Sequence, residues 1–461
     1  MKPIHRRTFL RQAGLVSLAF GGLYSCINRQ QEVAASTTAG FGPLEPDPAG
    51  LLSLPHGSEY RIISRAGERM SDGLLVPGRP DGMAAFEAAG GRVLLVRNHE
   101  NNPEPKALGA FGEQNELLEQ LSLKHFYDAG YGRTPGLGGT TTLLYNERSG
   151  KVERQFLSLA GTYRNCAGGP TPWGSWLSCE ESTVTKNSIA EQDHGFVFEV
   201  PASSEPGLAP PRPIKAMGRF NHEALCVDPH TGIVYLTEDR PDSLIYRYLP
   251  HDRRQLHAGG RLQALVVTGR PGLDTRNWDE PLVQPGEEMA VAWIDLQDIL
   301  APADDLRIRG FEQGAARFAR GEGMWYGQGE LFFACTNGGA ELLGQVFKYV
   351  PSPAEGQVGE AEAPGLLSLF VESADQSLLQ MCDNLTVAPW GDVILCEDNS
   401  NRNYIRGITP TGELYTLACN TGSTSEFAGA CFSPSGHTLF VNIQESGETL
   451  AITGPFPSRK N

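Results

Sequence analysis

Hydrophobic and polar positions alternate along most of this chain with a period of two rather than 3.6. Arg92-Val93-Leu94-Leu95-Val96, Ile233-Val234-Tyr235-Leu236, Glu330-Leu331-Phe332-Phe333-Ala334 and Val393-Ile394-Leu395 are short apolar runs bounded by turn residues, which predicts β-strands. Helical periodicity is scarce. Gly112–His125 (GEQNELLEQLSLKH) is the best stretch and Trp293–Leu300 a weaker second, and a short helix is predicted at each. Gly138-Gly139-Thr140-Thr141-Thr142-Leu143 is glycine-rich but leads into a strand, so it is not a nucleotide loop.

The predicted strands pair by a recurring grammar. Asn221-His222-Glu223-Ala224 opens one strand, Pro229 to Gly232 turns the chain, and the second strand ends at Thr237-Glu238-Asp239, a β-hairpin. Five further copies follow the same rule: Asp81 to Glu100, Asn165 to Glu181, Glu322 to Asn337, Asp383 to Asn399 and Glu426 to Gln444. Spacings of roughly 40 to 100 residues suit propeller blades of about four strands each. The expectation is an all-β, six-bladed β-propeller with a few short helices in its insertions.

A hairpin brings the start of its first strand and the end of its second to the same edge. Each copy therefore puts polar residues on one rim and its Pro/Gly turn on the other. Six such rims arranged radially converge on a central funnel, where the candidates are Glu100, Cys179, Glu180, Glu181, Glu223, Glu238, Asp239, Glu322, Asp383, Glu397, Asp398 and Glu426. Like charges that close raise one another's pKa values or require bound cations. Taken singly, such acids at strand ends are turn chemistry facing water; six repeats of the placement argue for multivalent cations.

Composition agrees with many short elements. Of 461 residues, 54 are Gly and 32 are Pro, nearly one in five, which argues against a helical bundle. The formal net charge of −16 argues against nucleic acid, whose phosphates demand a basic footprint.

The N-terminus departs from this pattern. His5-Arg6-Arg7-Thr8-Phe9-Leu10-Arg11 precedes the apolar stretch Ala13 to Tyr24, with no acid before Glu32. Twin arginines, Phe-Leu and a short apolar segment predict a twin-arginine export signal and linker over residues 1–35, with a single β-propeller catalytic domain at 36–461. The expected partner is the twin-arginine export machinery and the expected location the periplasm or outside. Leu23-Tyr24-Ser25-Cys26 is a loose lipobox, making Cys26 a candidate lipid anchor of an envelope lipoprotein, while Val33-Ala34-Ala35 offers ordinary cleavage.

Nine cysteines are present. Counted from the Pro172-Trp173 turn, Cys166 and Cys179 lie opposite each other, as do Cys382 and Cys396 about Pro389-Trp390, so each pair could form a cross-strand disulfide. Cys179 beside Glu180 is alternatively a thiolate ligand, and mixed S and O donors suit iron or zinc better than calcium. His99 and His222 are either ligands or buried rings that orient a carboxylate. Arg164 and Arg402 stand near the rim, as phosphate-clamping forks or surface ion pairs.

Several motifs together resemble the PhoX family of alkaline phosphatases: the twin-arginine leader, Asn98-His99-Glu100, Gly138 to Leu143, Asn165-Cys166-Ala167-Gly168-Gly169 with Thr171-Pro172-Trp173-Gly174 and Cys179-Glu180-Glu181, Phe220 to Ala224, Glu322-Gly323, Cys396 to Asn399 and Gly422 to Gly429. The likeness runs from about Asn98 to Gln444. It implies a secreted monomeric propeller that hydrolyses phosphomonoesters at ferric iron bridged to calcium. Cys179 then resembles the iron-bound cysteine, with Glu223 as its carboxylate partner. Glu238, Asp239, Glu322, Glu397 and Asp398 resemble the acidic ligands of iron and calcium; Glu180 beside Cys179 is a further candidate metal ligand, and Arg164 and Arg402 are the candidate catalytic residues that would clamp phosphate. The rival expectations are a calcium-stabilised propeller lactonase or other hydrolase, and a non-catalytic envelope binding protein.

Overall fold

Alternating sequences fold here as alternating faces. In the computed structural model, which describes residues 39–104 and 108–457, almost every regular element is a strand. The export signal, Cys26 and Val33 to Ala35 lie outside the described residues. Among the described residues no helix is long and apolar enough to cross a membrane.

The strands build antiparallel meanders. Pro80–Ala88, Arg92–His99, Gly138–Asn146 and Lys151–Thr162 make a four-stranded sheet, and Asn165–Pro170, Ser175–Glu180 and Val197–Pro201 a three-stranded one. A nine-stranded sheet begins at His222–Val227, runs outward to Glu288–Asp295, crosses to Leu366–Glu372 and returns inward to Gly321–Gly327. A six-stranded sheet ends at Cys382–Val387, and a four-stranded one starts at Phe427–Phe432. The first strand of each hairpin predicted from the sequence lies innermost. These six inner strands pack each on the next, and Phe427–Phe432 meets Pro80–Ala88 to close a ring. The fold is all-β and propeller-like; hydrogen bonding divides it into five sheets rather than six separate blades.

Close packing of inner strands demands small residues. A Cβ on Gly82 would stand 2.5 Å from the Ala167 Cα, and one on Gly323 2.4 Å from the Leu385 nitrogen. Between the sheets, large apolar side chains fill the wedge-shaped space. Phe318, Phe333 and Phe347 form one such cluster, with Phe333 and Phe347 stacked at 5.3 Å. Each such side chain, fully buried, contributes roughly 1.5–3 kcal/mol.

Segments far apart in the sequence join in the closing sheet. Glu59–Arg65 pairs with the last strand, Glu448–Thr453. On the turn side, Phe41 meets Trp390, Tyr415 and Phe456 at ring-centroid distances of 5.6–5.9 Å.

Both predicted helices are corrected. Gly112–His125 holds only the single turns Leu118–Gln120 and Leu123–His125, because Gly112 (φ +88) and Asn115 (φ +58) break the helical path. Trp293 lies in the strand Glu288–Asp295, where pairing with Gly260–Val267 overrides helical propensity. The α-helix among the described residues is instead Leu306–Glu312, held to the fold by buried Leu306 and Gly310. All eight described cysteines are free thiols, so neither expected disulfide forms.

Candidate metal centre

The inner strands share a local irregularity that builds the site. Each breaks its pairing near its start with two residues facing one on the neighbouring strand, a β-bulge: Asp81-Gly82, Cys166-Ala167, Glu223-Ala224, Glu322-Gly323, Asp383-Asn384 and Gly429-Ala430. Bulges re-aim side chains. In five of the six hairpins the first bulge residue is an acid or a cysteine. Just beyond the end of the paired strand stand Glu100, Glu181, Asp239, Thr336 and Asp398, and their N–H groups donate to the carbonyls of Arg79, Arg164, Asn221, Arg320 and Met381, at 2.9–3.2 Å.

These positions converge into three groups, each with ligand atoms within 4.8 Å of one another: Glu100–Cys166–Glu181, Glu223–Glu322–Asp383 and Asp383–Asp398–Glu426. Asp81, 3% exposed, lies beside Glu100 and accepts from Gln444 Nε2 at 2.5 Å. Glu223 is 1% exposed, and neither of its carboxylate oxygens has a hydrogen-bond partner.

Electrostatics follow from that crowding. Burial, then the charge of Glu100, pushes Asp81 up to about 7. Burial also lifts Glu181 to about 8, against the pull of Arg164 and with the push of Glu100 and Asp239. Glu223, Glu322, Asp383 and Glu426 lie well above the ordinary carboxylate range, first from desolvation and then from neighbouring acids, among them Asp239 beside Glu322 and Asp398 beside Glu426. The Cys166 thiol is raised by burial and by Asp81, Glu223, Glu181 and Glu100. A bound cation reverses each of these shifts at once.

Arginines ring the acids. Arg164 donates from Nε and Nη2 to Glu100 (3.0 and 2.6 Å) and from Nη2 to Glu181 (2.7 Å). Arg79 reaches Glu100 at 3.0 Å, and Arg320 reaches Asp239 at 2.8 Å and Glu322 at 3.0 Å. All three sit immediately before an inner strand with positive φ (45°, 45° and 50°), the left-handed region that non-glycine residues enter at a cost. All three side chains are only partly buried.

The sequence-predicted residues divide accordingly. Glu100, Glu181, Glu223, Glu322, Asp383, Asp398 and Glu426 meet at the axis, with Asp239 attached through Arg320. Cys179 does not join them: it belongs to the apolar cluster of Leu177, Val197, Phe220 and Leu225. The bulge at Cys166 makes Asn165 oppose Glu180, so Cys166, and not Cys179, sits among the acids.

Glu180, Glu238 and Glu397 also stand outside the three groups. Glu180 is engaged by His194 and by three backbone N–H groups. Glu238 accepts from the Tyr246 hydroxyl at 2.6 Å, and Glu397 from Arg406 Nε at 2.9 Å. His99 bonds Gly78 O and Thr141 Oγ1; His222 lies against Gly218 O. Arg402 is exposed in the irregular segment between Glu397 and Tyr404 and belongs to none of the three groups. Sequence reasoning passed over Asp81, Cys166, Arg79 and Arg320; their shared signal is position, immediately before an inner strand or first in its bulge.

Comparison with known proteins places this geometry. The family model described as alkaline phosphatase PhoX matches residues 39–153 and 136–447. No curated protein matches the chain. Among solved structures, Pseudomonas fluorescens PhoX in complex with vanadate, a transition state analogue, superposes with a TM-score of 0.64 at 18% identity, covering 90% of this chain and 97% of that one. A gluconolactonase from Xanthomonas campestris covers 90% and 99% at 13% identity, with a TM-score of 0.39, too loose a superposition to argue from.

Proposed function

The chain belongs to the PhoX family of alkaline phosphatases and is a phosphomonoester hydrolase, and from that premise we propose that its axial acids hold iron and calcium and that its arginines bind the phosphoryl group. The observation that carries the assignment is Glu223, buried with both oxygens unpartnered among Glu322, Asp383 and Cys166. The donor sets fit the two metals differently. Glu100–Cys166–Glu181 mixes a thiol with oxygens and suits iron, whereas Glu223–Glu322–Asp383 and Asp383–Asp398–Glu426 offer oxygen alone and suit calcium.

When bound, these cations supply positive charge to the phosphoryl oxygens and an activated oxygen nucleophile. The protein's own share is binding and orientation. Arg164 is fixed by Glu100 and Glu181 through Nε and Nη2, which leaves Nη1 for a phosphoryl oxygen. Arg79 and Arg320, at the equivalent places, approach the same anion from two other inner strands, and Arg402 is an outer contact. Three fixed cationic groups also answer a difficulty of the sequence, an acidic protein acting on an anionic substrate.

Six blades is the reading favoured by six inner strands and six bulges, with the nine-stranded sheet as two blades stitched edge to edge. Export of a monomer by the twin-arginine machinery, to the periplasm or beyond, rests on residues 1–35, with Cys26 as the candidate lipid anchor. Neither the lactonase nor the binding-protein alternative gains an observation. The test is turnover of p-nitrophenyl phosphate by the purified full chain, abolished by chelation and restored by calcium with iron. Activity that survives complete metal removal overturns the reading.

A further inference from the structure

One histidine outside the acidic groups is tied into them through a single turn of chain. His194 is fully buried, with both ring nitrogens facing carboxylates: Nδ1 lies 2.6 Å from Glu180 Oε1 and Nε2 3.1 Å from Asp128 Oδ2. Asp128 is itself anchored, accepting from the Gly130, Glu191 and Gln192 N–H groups at 2.7–3.2 Å. The Tyr163 ring lies flat on the imidazole, with centroids 3.7 Å apart and planes 20° apart, and the Tyr127 ring meets it edge-on at 5.4 Å. The Tyr163 N–H donates to the same Glu180 oxygen at 3.0 Å.

The residue after Tyr163 is Arg164. Its backbone holds the left-handed conformation through two bonds, Arg164 N–H to Asn101 O at 3.0 Å and Glu181 N–H to Arg164 O at 2.9 Å. A non-glycine residue stays in that region only while its surroundings over-determine it. Glu180 and Glu181 are adjacent, so whatever holds Glu180 off the axis also presents Glu181 to Arg164.

We propose that His194 is a positioning residue for Arg164: clamped between Asp128 and Glu180 and stacked under Tyr163, it fixes the turn that aims the guanidinium at the anion. The proposal rests on the phosphatase reading for its consequence, though not for its geometry.

A double-mutant cycle on the metal-replete full chain tests it, with p-nitrophenyl phosphate as substrate. His194→Gln alone lowers kcat/KM by about 10- to 100-fold, the range for groups that orient a residue contacting the reacting centre. In an Arg164→Ala background the same change costs less than twofold, and calcium and iron content matches the parent in both. Losses that multiply, or metal lost with His194→Gln, overturn the proposal, because a merely structural histidine acts irrespective of Arg164.

Amide hydrogen exchange of the peptide spanning Tyr163 and Arg164 gives a readout free of turnover. It accelerates in His194→Gln, and unchanged protection overturns the proposal. If the parent protein fails to hydrolyse the ester, the phosphatase reading falls and the exchange experiment still decides the positioning. Should His194→Gln not fold, Tyr163→Leu removes the stacked ring while leaving Glu180 its partners, and the same cycle is run with it.

Discussion

Glu180 and Glu181 are consecutive residues, both withdrawn from water, yet they occupy opposite electrostatic regimes. Glu180 belongs to an outer set, with Glu238 and Glu397, that ends the second strand of a hairpin and is met there by built-in donors: an imidazole, a phenol, a guanidinium and backbone N–H groups. Glu181 belongs to the axial set, with Glu223, Glu322, Asp383 and Glu426, where acids face acids and Glu223, with neither oxygen hydrogen-bonded, has only the Cys166 thiol beside it as a weak donor. The comparison teaches that neither burial nor charge locates the site. Satisfaction separates the extremes: Glu180 has donors on both oxygens and helps hold the scaffold, whereas Glu223 has a hydrogen-bond partner on neither and is where something else binds.

The largest separation between the two sets is expected from Glu223→Gln. It should cut phosphatase activity on the order of 10³-fold, since a metal's charge is worth several kcal/mol to the transition state. The metal-free protein should be no less stable in urea for losing a repelling charge, and a lowered midpoint would place Glu223 in the outer set.

Next comes the cysteine pair. Cys166→Ser should lower activity about 100-fold together with any thiolate-to-iron absorption, as expected when a metal site loses a ligand or its support. Cys179→Ala should keep both and cost about 1–2 kcal/mol for a small cavity, measured by thermal melting. The reverse pattern would return the thiolate to Cys179.

Glu180→Gln, unlike Glu223→Gln, should destabilise the fold, by about 3 kcal/mol, because His194 is left facing a weakened partner in a buried pair. Burial alone would lower the His194 pKa, but Glu180 and Asp128 outweigh it and raise it to about 9, so the imidazole is charged at neutral pH. Calcium and iron content should stay intact.

The smallest effect is the pH dependence of the metal-free protein. Asp81 at about 7 and Glu181 at about 8 bind protons more tightly folded than unfolded. Their contribution is therefore favourable below the unfolded carboxylate range and is lost as pH rises towards 7–8. The melting temperature without metal should fall from pH 5 to pH 8, and saturating calcium and iron should flatten that slope. A metal-free melting temperature that rises over this range would show the axial acids to be compensated already.

Much of this arrangement was legible from the residues. Hairpins whose ends carry acids and whose turns carry Pro and Gly put the acids on one rim whatever the detailed path, and six of them close a ring. The choice between Cys166 and Cys179 was not legible, because a period-two count from the Pro172-Trp173 turn assumes an unbroken ladder. The bulge at Cys166-Ala167 inserts one residue and changes which side chains face the axis. The same insertion hid Asp81. Glu180, Glu238 and Glu397 resembled ligands because nothing in a linear reading marks their donors, although His194, Tyr246 and Arg406 lie only 14, 8 and 9 residues further along the chain. The Gly112–His125 helix failed for a local reason, two residues in the left-handed region within its first turn.

The strand that seals the ring pairs Glu59–Arg65 from near the start of the chain with Glu448–Thr453 from near its end. Glu59–Arg65 is made early and waits for residues 448–453, so this sheet is completed only after that later segment has left the ribosome. Circular closure, and the meeting of residues from Glu100 to Glu426, therefore join segments far apart in the order of synthesis, and deletion of residues 448–453 leaves Glu59–Arg65 without its partner strand.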